Sequence, residues 1–256
     1  MKRRFVFIGP CSLLDRGRGG AGTGIVVRRA RPGLTCVNPD TASRLHACAM
    51  EEQIELPAPK ETGGLPLADA VGRRRSVREF ASRAFTWDEI GQLLWAAQGI
   101  TDRTAELRAA PSAGALYPLE IDALTASGVF RYRPLSHTVV RRQPRDIRRD
   151  LARVALSQGS VADAPCVFAV SAVPARTMHR YGHRGIRYVH LEAGHAAQNL
   201  LLQAQALGLV GAPVGAFDDE AVARVLRTAT GEEPLYLLPV GWPLGSTRAW
   251  TGPAPA

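Results

Sequence analysis

What this 256-residue chain lacks narrows it first. No apolar run reaches the roughly 20 residues that a membrane-spanning helix needs. Lysine is almost missing, two Lys standing against thirty Arg. Cysteine is scarce: Cys11, Cys36 and Cys48 lie near the start, Cys166 lies in an apolar run, and no two form a C-x-x-C pair. That excludes the sequence signature of a zinc ribbon or a dithiol redox centre and fits a reducing compartment, the cytoplasm. A secretory leader is not readable either. The basic, apolar start MKRRFVFIGP is interrupted at Gly9 and Pro10, and the one small-residue cleavage pattern, Ala47-Cys48-Ala49, lies too far along.

Positive charge is abundant, but its distribution matters more than its sum. The formal net charge is +9, and residues 1–50 carry nine Lys/Arg against two Asp/Glu. The other 206 residues carry 23 against 21, so the body is nearly neutral and presents no basic face for nucleic acid. With 46% hydrophobic residues the chain can bury a sizeable core.

Residues 1–53 are rich in Gly and Arg without a sustained period and read as a disordered extension. Residues 54–250 read as the folded domain and 251–256 as a tail. IELPAPKETGGLP is an extended lead-in, with the body beginning near Pro66. LADAVGRRR reads as a short helix. In FTWDEIGQLLWAAQG, Thr86 and Glu89 form a capping box, Gly99 is a stop, and Ile90, Leu93, Leu94 and Ala97 share a face. LEIDALTA and GVFRYRP read as strands joined near Ser127-Gly128, DIRRDLARVALSQ as an amphipathic helix, and CVFAVSAV as a buried strand. Residues 188–207 read as the longest helix, with Ala193, Gly194, Ala196 and Ala197 allowing a second helix to come close. DDEAVARVLRT is a further helix and EPLYLLPVGWP a further buried strand. There is no internal repeat and no regular βαβ rhythm, so the fold class is α+β.

Four stretches could carry chemistry. GRRRSVREF (72–80) sets Arg73, Arg74, Arg75 and Arg78 around Ser76; forked guanidiniums and a hydroxyl suit phosphate oxygens, and a solvated arginine-rich helix end has the same letters. In APSAGALYPLE (110–120), Ser112, Ala113 and Gly114 are small enough for backbone amides to approach a flat ligand, or simply form a loop ahead of a strand. GAPVGAFDDE (211–220) is a small-residue loop whose Gly215 and Ala216 amides could face a ligand, while Asp218, Asp219 and Glu220 suit the first turn of a helix without any catalytic role. HRYGHRGIRYVHLEAGH (179–195) gathers four His, three Arg and two Tyr. A metal site is a poor match there. Gly182 and Gly185 interrupt the His179/His183 pair, His190 and His195 are five apart and off one face, and no Cys or carboxylate cluster completes a set.

In series, RRRSVREF, PSAGALYPLEI, FRYRPLSHTVVR, YGHRGIRYVHLEAGHAAQNLLLQAQALGL and EPLYLLPVGWP resemble the nitroreductase superfamily over about residues 54–245, and within it the SagB/ThcOx type, which includes azoline-oxidising dehydrogenases. The resemblance implies an FMN-dependent oxidoreductase with a mixed or antiparallel sheet flanked by helices, built as an intertwined homodimer with flavin at the subunit interface. It implies that Arg74, Arg75, Ser76 and Arg78 hold the FMN phosphate and ribityl chain, and that Ser112, Ala113 and Gly114 approach the flavin from the partner subunit. Pro213, Val214, Gly215 and Ala216 would line the isoalloxazine near its reactive nitrogen, with Gln158 as a further flavin contact and Arg248 as a late phosphate contact. Azoline oxidases carry Lys-Tyr where this chain has Arg180-Tyr181, the pair expected to assist proton removal. Arginine stays protonated, so Arg180 can bind an anionic group but not act as a base, and Tyr181 can donate or relay a proton. The departure leaves flavin binding intact and counts against azoline oxidation. The expected substrates are therefore small molecules, with NAD(P)H reducing the flavin and a nitro compound or quinone reoxidising it. The alternatives are a peptide thiazoline or oxazoline oxidised at the expense of oxygen, or a flavin-binding module without turnover.

Overall fold

Along Cys166–Ala172 every residue is buried, and alternate residues serve two cores. Cys166, Phe168, Val170 and Ala172 face one, Val167 and Ala169 the other, which is the two-residue period of a strand covered on both sides. The computed structural model describes residues 3–5 and 52–245. In chain order these form β1 (Arg3–Phe5), β2 (Glu52–Glu55), α1 (Leu67–Arg73), β3 (Phe80–Ala81), α2 (Trp87–Gln98), β4 (Ile100–Asp102) and β5 (Leu107–Arg108). A 3-10 turn at Ala113–Ala115 precedes β6 (Leu119–Thr125), β7 (Gly128–Arg133), β8 (Thr138–Gln143), α3 (Arg148–Val154) and α4 (Gly159–Asp163). Then follow β9 (Cys166–Ala172), α5 (Ala175–Tyr181), α6 (Arg184–Ala206), β10 (Val210–Gly211), α7 (Asp219–Leu226) and β11 (Glu233–Pro243).

The large sheet has the order β1-β2-β8-β7-β6-β9-β11-β10, with β3 paired to the far end of β11. Pairing of β6, β7, β8, β9, β10 and β11 with their neighbours is antiparallel. Helices α2 and α6 cover one face through Ile90, Leu93, Leu94 and Ala97 and through Val189, Ala193, Ala196 and Leu200. Helices α3, α4 and α7 cover the other through Leu151, Val161, Val222 and Leu226. Each of the Leu, Ile and Val side chains among these, fully withdrawn from water, contributes about 1.5–3 kcal/mol. The architecture is the α+β class expected, an antiparallel sheet flanked by helices.

Local signals held where they were self-contained. Thr86 Oγ1 accepts from the Glu89 amide and Glu89 accepts from the Thr86 amide, so the capping box starts α2, and Gly99 ends it. The longest helix, however, begins at Arg184 rather than at 188. Gly185 does not break it. A Cβ there would lie 2.8 Å from the Met178 amide nitrogen, so the glycine lets α6 press against the backbone of α5. Gly182, at φ 56°, is the true break. Gly194 is exposed with nothing near it, and the close seam with α2 uses Ala193, Ala196 and Ala197 instead. The third helix is also shorter than expected. It stops at Val154, and Leu156 and Ser157 take φ values of 55° and 57°. Strands β2 and β8 were not expected as strands; they pair antiparallel, with Ile54 opposite Val139.

One buried charge cluster ties β6, β7 and the start of β11 together. Arg131 bonds Asp122 with two nitrogens at 2.7 Å, Glu232 at 2.6 Å and Glu120 at 3.2 Å. Burial pulls its pKa down, but Asp122 and Glu232 more than compensate and raise it. Arg142 adds a second cation on Asp122, and Arg176 one on Glu120. Three guanidiniums thus meet three carboxylates, a satisfied network rather than a reactive one.

Candidate active site

Two groups of expected site residues assemble, each around a tight backbone feature. In the first, the chain leaving α1 runs beside β10. Ser76 forms a parallel bridge with Gly211, and the Val77 amide donates to the Gly211 carbonyl at 3.1 Å. The guanidinium of Arg75 folds back on the carbonyls of Gly72 and Arg74, at 3.1 and 2.7 Å, satisfying acceptors at the end of α1. Arg74 and Arg78 have no side-chain partner among the described residues.

The loop after β10 is stapled to β11 by Val214, whose amide and carbonyl both pair with Leu237 at 2.8 and 2.9 Å. Pairing stops there. Gly215 and Ala216 are exposed, and among the described residues their amides donate to nothing. Gln158 Nε2 holds this loop from below by donating to the Ala216 carbonyl at 2.9 Å, and also to Ala155 at 3.1 Å. Arg74, Ser76, Arg78, Gln158 and Pro213–Ala216 therefore share one edge of the sheet. Arg248 lies outside the described residues.

The second group surrounds the turn at 112–117. Gly114, Ala115 and Tyr117 take φ values of 64°, 53° and 45°, left-handed positions on either side of a right-handed Leu116 that cost free energy for the two non-glycine residues. Ser112 Oγ accepts from the Tyr117 amide at 3.0 Å and so closes the turn. A Cβ on Gly114 would lie 2.9 Å from Tyr181 Oη and 3.0 Å from Arg180 Nη1, so the turn and the Arg180-Tyr181 pair are in direct apposition. Tyr181 is half-buried at the last turn of α5, its ring edge-on to Tyr188 of α6 at 5.2 Å. Arg180 is exposed beside it.

Behind this turn lies a set of residues that the sequence reading missed. Glu192, 2% exposed on α6, accepts from Gln98 Nε2 at 3.3 Å and from the Ser112 hydroxyl. Burial pushes its carboxyl up to about 7, against the pull of the Ser112 and Gln98 bonds and the nearby Arg108. Arg108 donates to Gln98 Oε1 at 3.1 Å and stacks on the Tyr117 ring at 4.4 Å, while the Tyr117 hydroxyl accepts from the Arg108 amide. Desolvation lowers the Arg108 pKa despite Glu192 nearby. A polar cavity of about 220 Å³, lined by Gln98, Arg108, Arg133 and Arg176, opens onto this network from the sheet side. The signal for Glu192 was present: it sits three residues after Val189 and four before Ala196, on the apolar stripe of the helix.

His179 and His183 fall on either side of the Gly182 break, His190 and His195 are exposed, and no group of three or more His, Cys, Asp or Glu suited to a metal occurs among the described residues. A cavity of about 490 Å³ between the lead-in and helices α2 and α6 is lined by none of the expected site residues. No helix among the described residues is long and apolar enough to cross a membrane.

Comparison with known proteins adds to this geometry. Residues 71–242 match the model of the Nitroreductase family. A protein of Methanocaldococcus jannaschii that carries the nitroreductase name is 43% identical over 195 residues, covering 74% of this chain and 96% of its own. A crystal structure from Ralstonia eutropha, also named for nitroreductases, superposes with a TM-score of 0.69 at 24% identity, over 76% of this chain and 90% of that one. The Escherichia coli microcin synthetase complex with a truncated precursor bound gives 0.58 at 20% identity, over 84% and 85%. The NADPH:FMN oxidoreductase of Vibrio harveyi complexed with NAD+ gives 0.53 at 19% identity, over 74% of each chain. At these identities the three structures speak for the fold.

Proposed function

From the premise that this chain belongs to the nitroreductase family of oxidoreductases, we infer that it is an FMN-dependent enzyme, working as a homodimer, that takes electrons from NAD(P)H and passes them to a small nitro compound or quinone. One observation carries the reading. The Ser76–Gly211 bridge brings the stretch that carries Arg74 and Arg78 beside the strand leading into the Gly215–Ala216 loop, and these guanidiniums and amides have no partner among the described residues. A ligand with an anionic tail and a ring that gathers negative charge matches both. The donor set fits FMN: Arg74, Arg78 and Ser76 suit the phosphate, and the amides of Gly215 and Ala216 suit the ring edge. Arg75 would trade its carbonyl partners for that phosphate. Gln158 acts by fixing the loop that presents those amides. The missing side chain at Gly114 lets Tyr181 and Arg180 close up against the turn, where they could meet the edge of a ligand beside it. FMN, when bound, supplies the hydride chemistry, and the protein supplies binding, orientation and electrostatics. The fold shared with the Vibrio harveyi NADPH:FMN oxidoreductase supports both the cofactor and the donor. Purified protein is expected to be yellow and to release FMN on denaturation, and NADH or NADPH added without oxygen is expected to bleach it. Protein that takes up no FMN would sink the reading, and flavin that binds yet resists every reductant would leave only a binding module.

A second reading has one observation in its favour, the fold shared with a microcin synthetase that holds a truncated precursor. In it a peptide azoline is oxidised, and the SagB-type branch is the right one. Arg180 weighs against it, because a guanidinium does not accept the substrate proton. If the azoline reading holds, Arg180→Lys is expected to raise azoline turnover by about a hundredfold, the low end of what general base catalysis contributes. No gain would remove this reading.

A further inference from the structure

Glu192 is the only acidic residue of α6, and it points into the core. Such a carboxyl costs free energy unless it is bonded. Its direct partners are both neutral, the Gln98 amide and the Ser112 hydroxyl, and the Arg108 guanidinium bonds the far oxygen of Gln98. Tyr117, Glu120 and Arg176 act on Arg108 from the far side, and Tyr181 and Arg180 lie beyond Gly114. Ser112 has a single proton and two lone pairs. One lone pair is taken by the Tyr117 amide. A carboxylate at Glu192 can only accept, so it draws the Ser112 proton inward. A protonated Glu192 can instead donate to the second lone pair, which leaves the Ser112 proton free to turn outward.

We propose that Glu192 is a positioning residue that sets the direction in which the Ser112 hydroxyl donates: inward to Glu192 when that group is ionised, outward to the ligand side of the turn when it is protonated. This deepens the flavin reading and rests on it, since the ligand side of the turn is where that reading seats the FMN edge. The cavity lined by Gln98 and Arg108 gives the network an opening to the exposed Arg133. With the carboxyl at about 7, its acid-to-anion ratio runs from about 10:1 at pH 6 to about 1:10 at pH 8.

The test has an arm without flavin and an arm with it. In protein carrying 13C-labelled glutamate and no added FMN, one side-chain carboxyl resonance is expected to titrate near pH 7, to vanish in E192Q, and to titrate higher in S112A, which lacks the bond that favours the anion. A resonance that keeps its midpoint in S112A, or no glutamate titrating above the ordinary range, overturns the proposal. In the second arm FMN dissociation constants are measured at pH 6 and pH 8. The FMN phosphate titrates in the same range, so the informative quantity is the ratio of the two constants compared between proteins. Weakening on going to pH 8 is expected to be about three- to tenfold greater in the wild type than in E192Q, one hydrogen bond's worth. Equal ratios overturn the proposal. If E192Q does not fold, E192D carrying 13C-labelled aspartate serves: it keeps the charge but withdraws the oxygen from Ser112, and a midpoint unmoved by adding S112A to it is expected. Protein that binds no FMN at all fails the flavin reading, while the carboxyl titration still decides the Glu192–Ser112 link.

Discussion

At the scale of single residues, Glu192 carries the clearest consequence for stability. A carboxyl whose folded pKa is raised contributes stability that is fully present below its unfolded value near 4.5 and is lost as pH rises through about 7. Between pH 5 and pH 8 the wild-type protein is therefore expected to lose about 2–3 kcal/mol that an uncharged side chain at 192 does not lose. Urea unfolding of wild type and E192Q at the two pH values measures this directly. A stability gap that stays constant with pH would show that the carboxyl does not ionise in this window. Residues of this kind were hard to read from the sequence. Glu192 meets Gln98, 94 positions earlier, and its place on an apolar stripe is a sign only to a reader who already trusts the helix. Arg180, Tyr181 and Gly114 were each singled out, but their apposition needed the turn at 112–117 and the end of α5 to be set side by side.

At the scale of elements, the hinge between α5 and α6 is decisive, because it fixes Arg180 and Tyr181 against the turn. Gly185 is the critical position there. A methyl group added to it meets Met178 backbone at 2.8 and 2.9 Å, and backbone cannot move aside as a flexible side chain can. Gly185→Ala is expected to cost about 1–3 kcal/mol by overpacking and to displace Tyr181 from Tyr188. Thermal unfolding and the near-ultraviolet circular dichroism of the tyrosines check it; an unchanged melting temperature would mean the two helices are not pressed together there. Elements defined by neighbouring residues were legible. The Thr86/Glu89 capping box and the alternation in β9 needed nothing beyond themselves. The start of α6 was not, because a glycine that permits close packing and one that breaks a helix look alike until the opposing backbone is known. Strand β2 was missed for a related reason: its ladder partner β8 sits 85 positions away, with Ile54 facing Val139.

At the scale of the whole molecule, the order of helices and strands was enough to indicate an α+β class, but the sheet order was not written in any single stretch. The proposal of a homodimer belongs at this scale. On α1, Leu67 and Val71 lie one turn apart and are 70% and 55% exposed, and Leu191 of α6 is 52% exposed. Apolar side chains so placed suit a covering partner. FMN-loaded protein is expected to run in light scattering at twice the 27.5 kDa chain mass, and L67E/V71E is expected to shift it toward the single chain and weaken FMN retention together. A loaded protein with the mass of one chain would end the dimer proposal.

The parallel bridge between Ser76 and Gly211 has a bearing on biosynthesis. The arginines near position 76 are made well before residue 211, whose backbone bridges to Ser76, and that backbone is itself secured by β11 later still. On the FMN reading, cofactor capture waits until residue 211 and β11 have been made, and a chain released before them would carry the arginines with nothing to brace them.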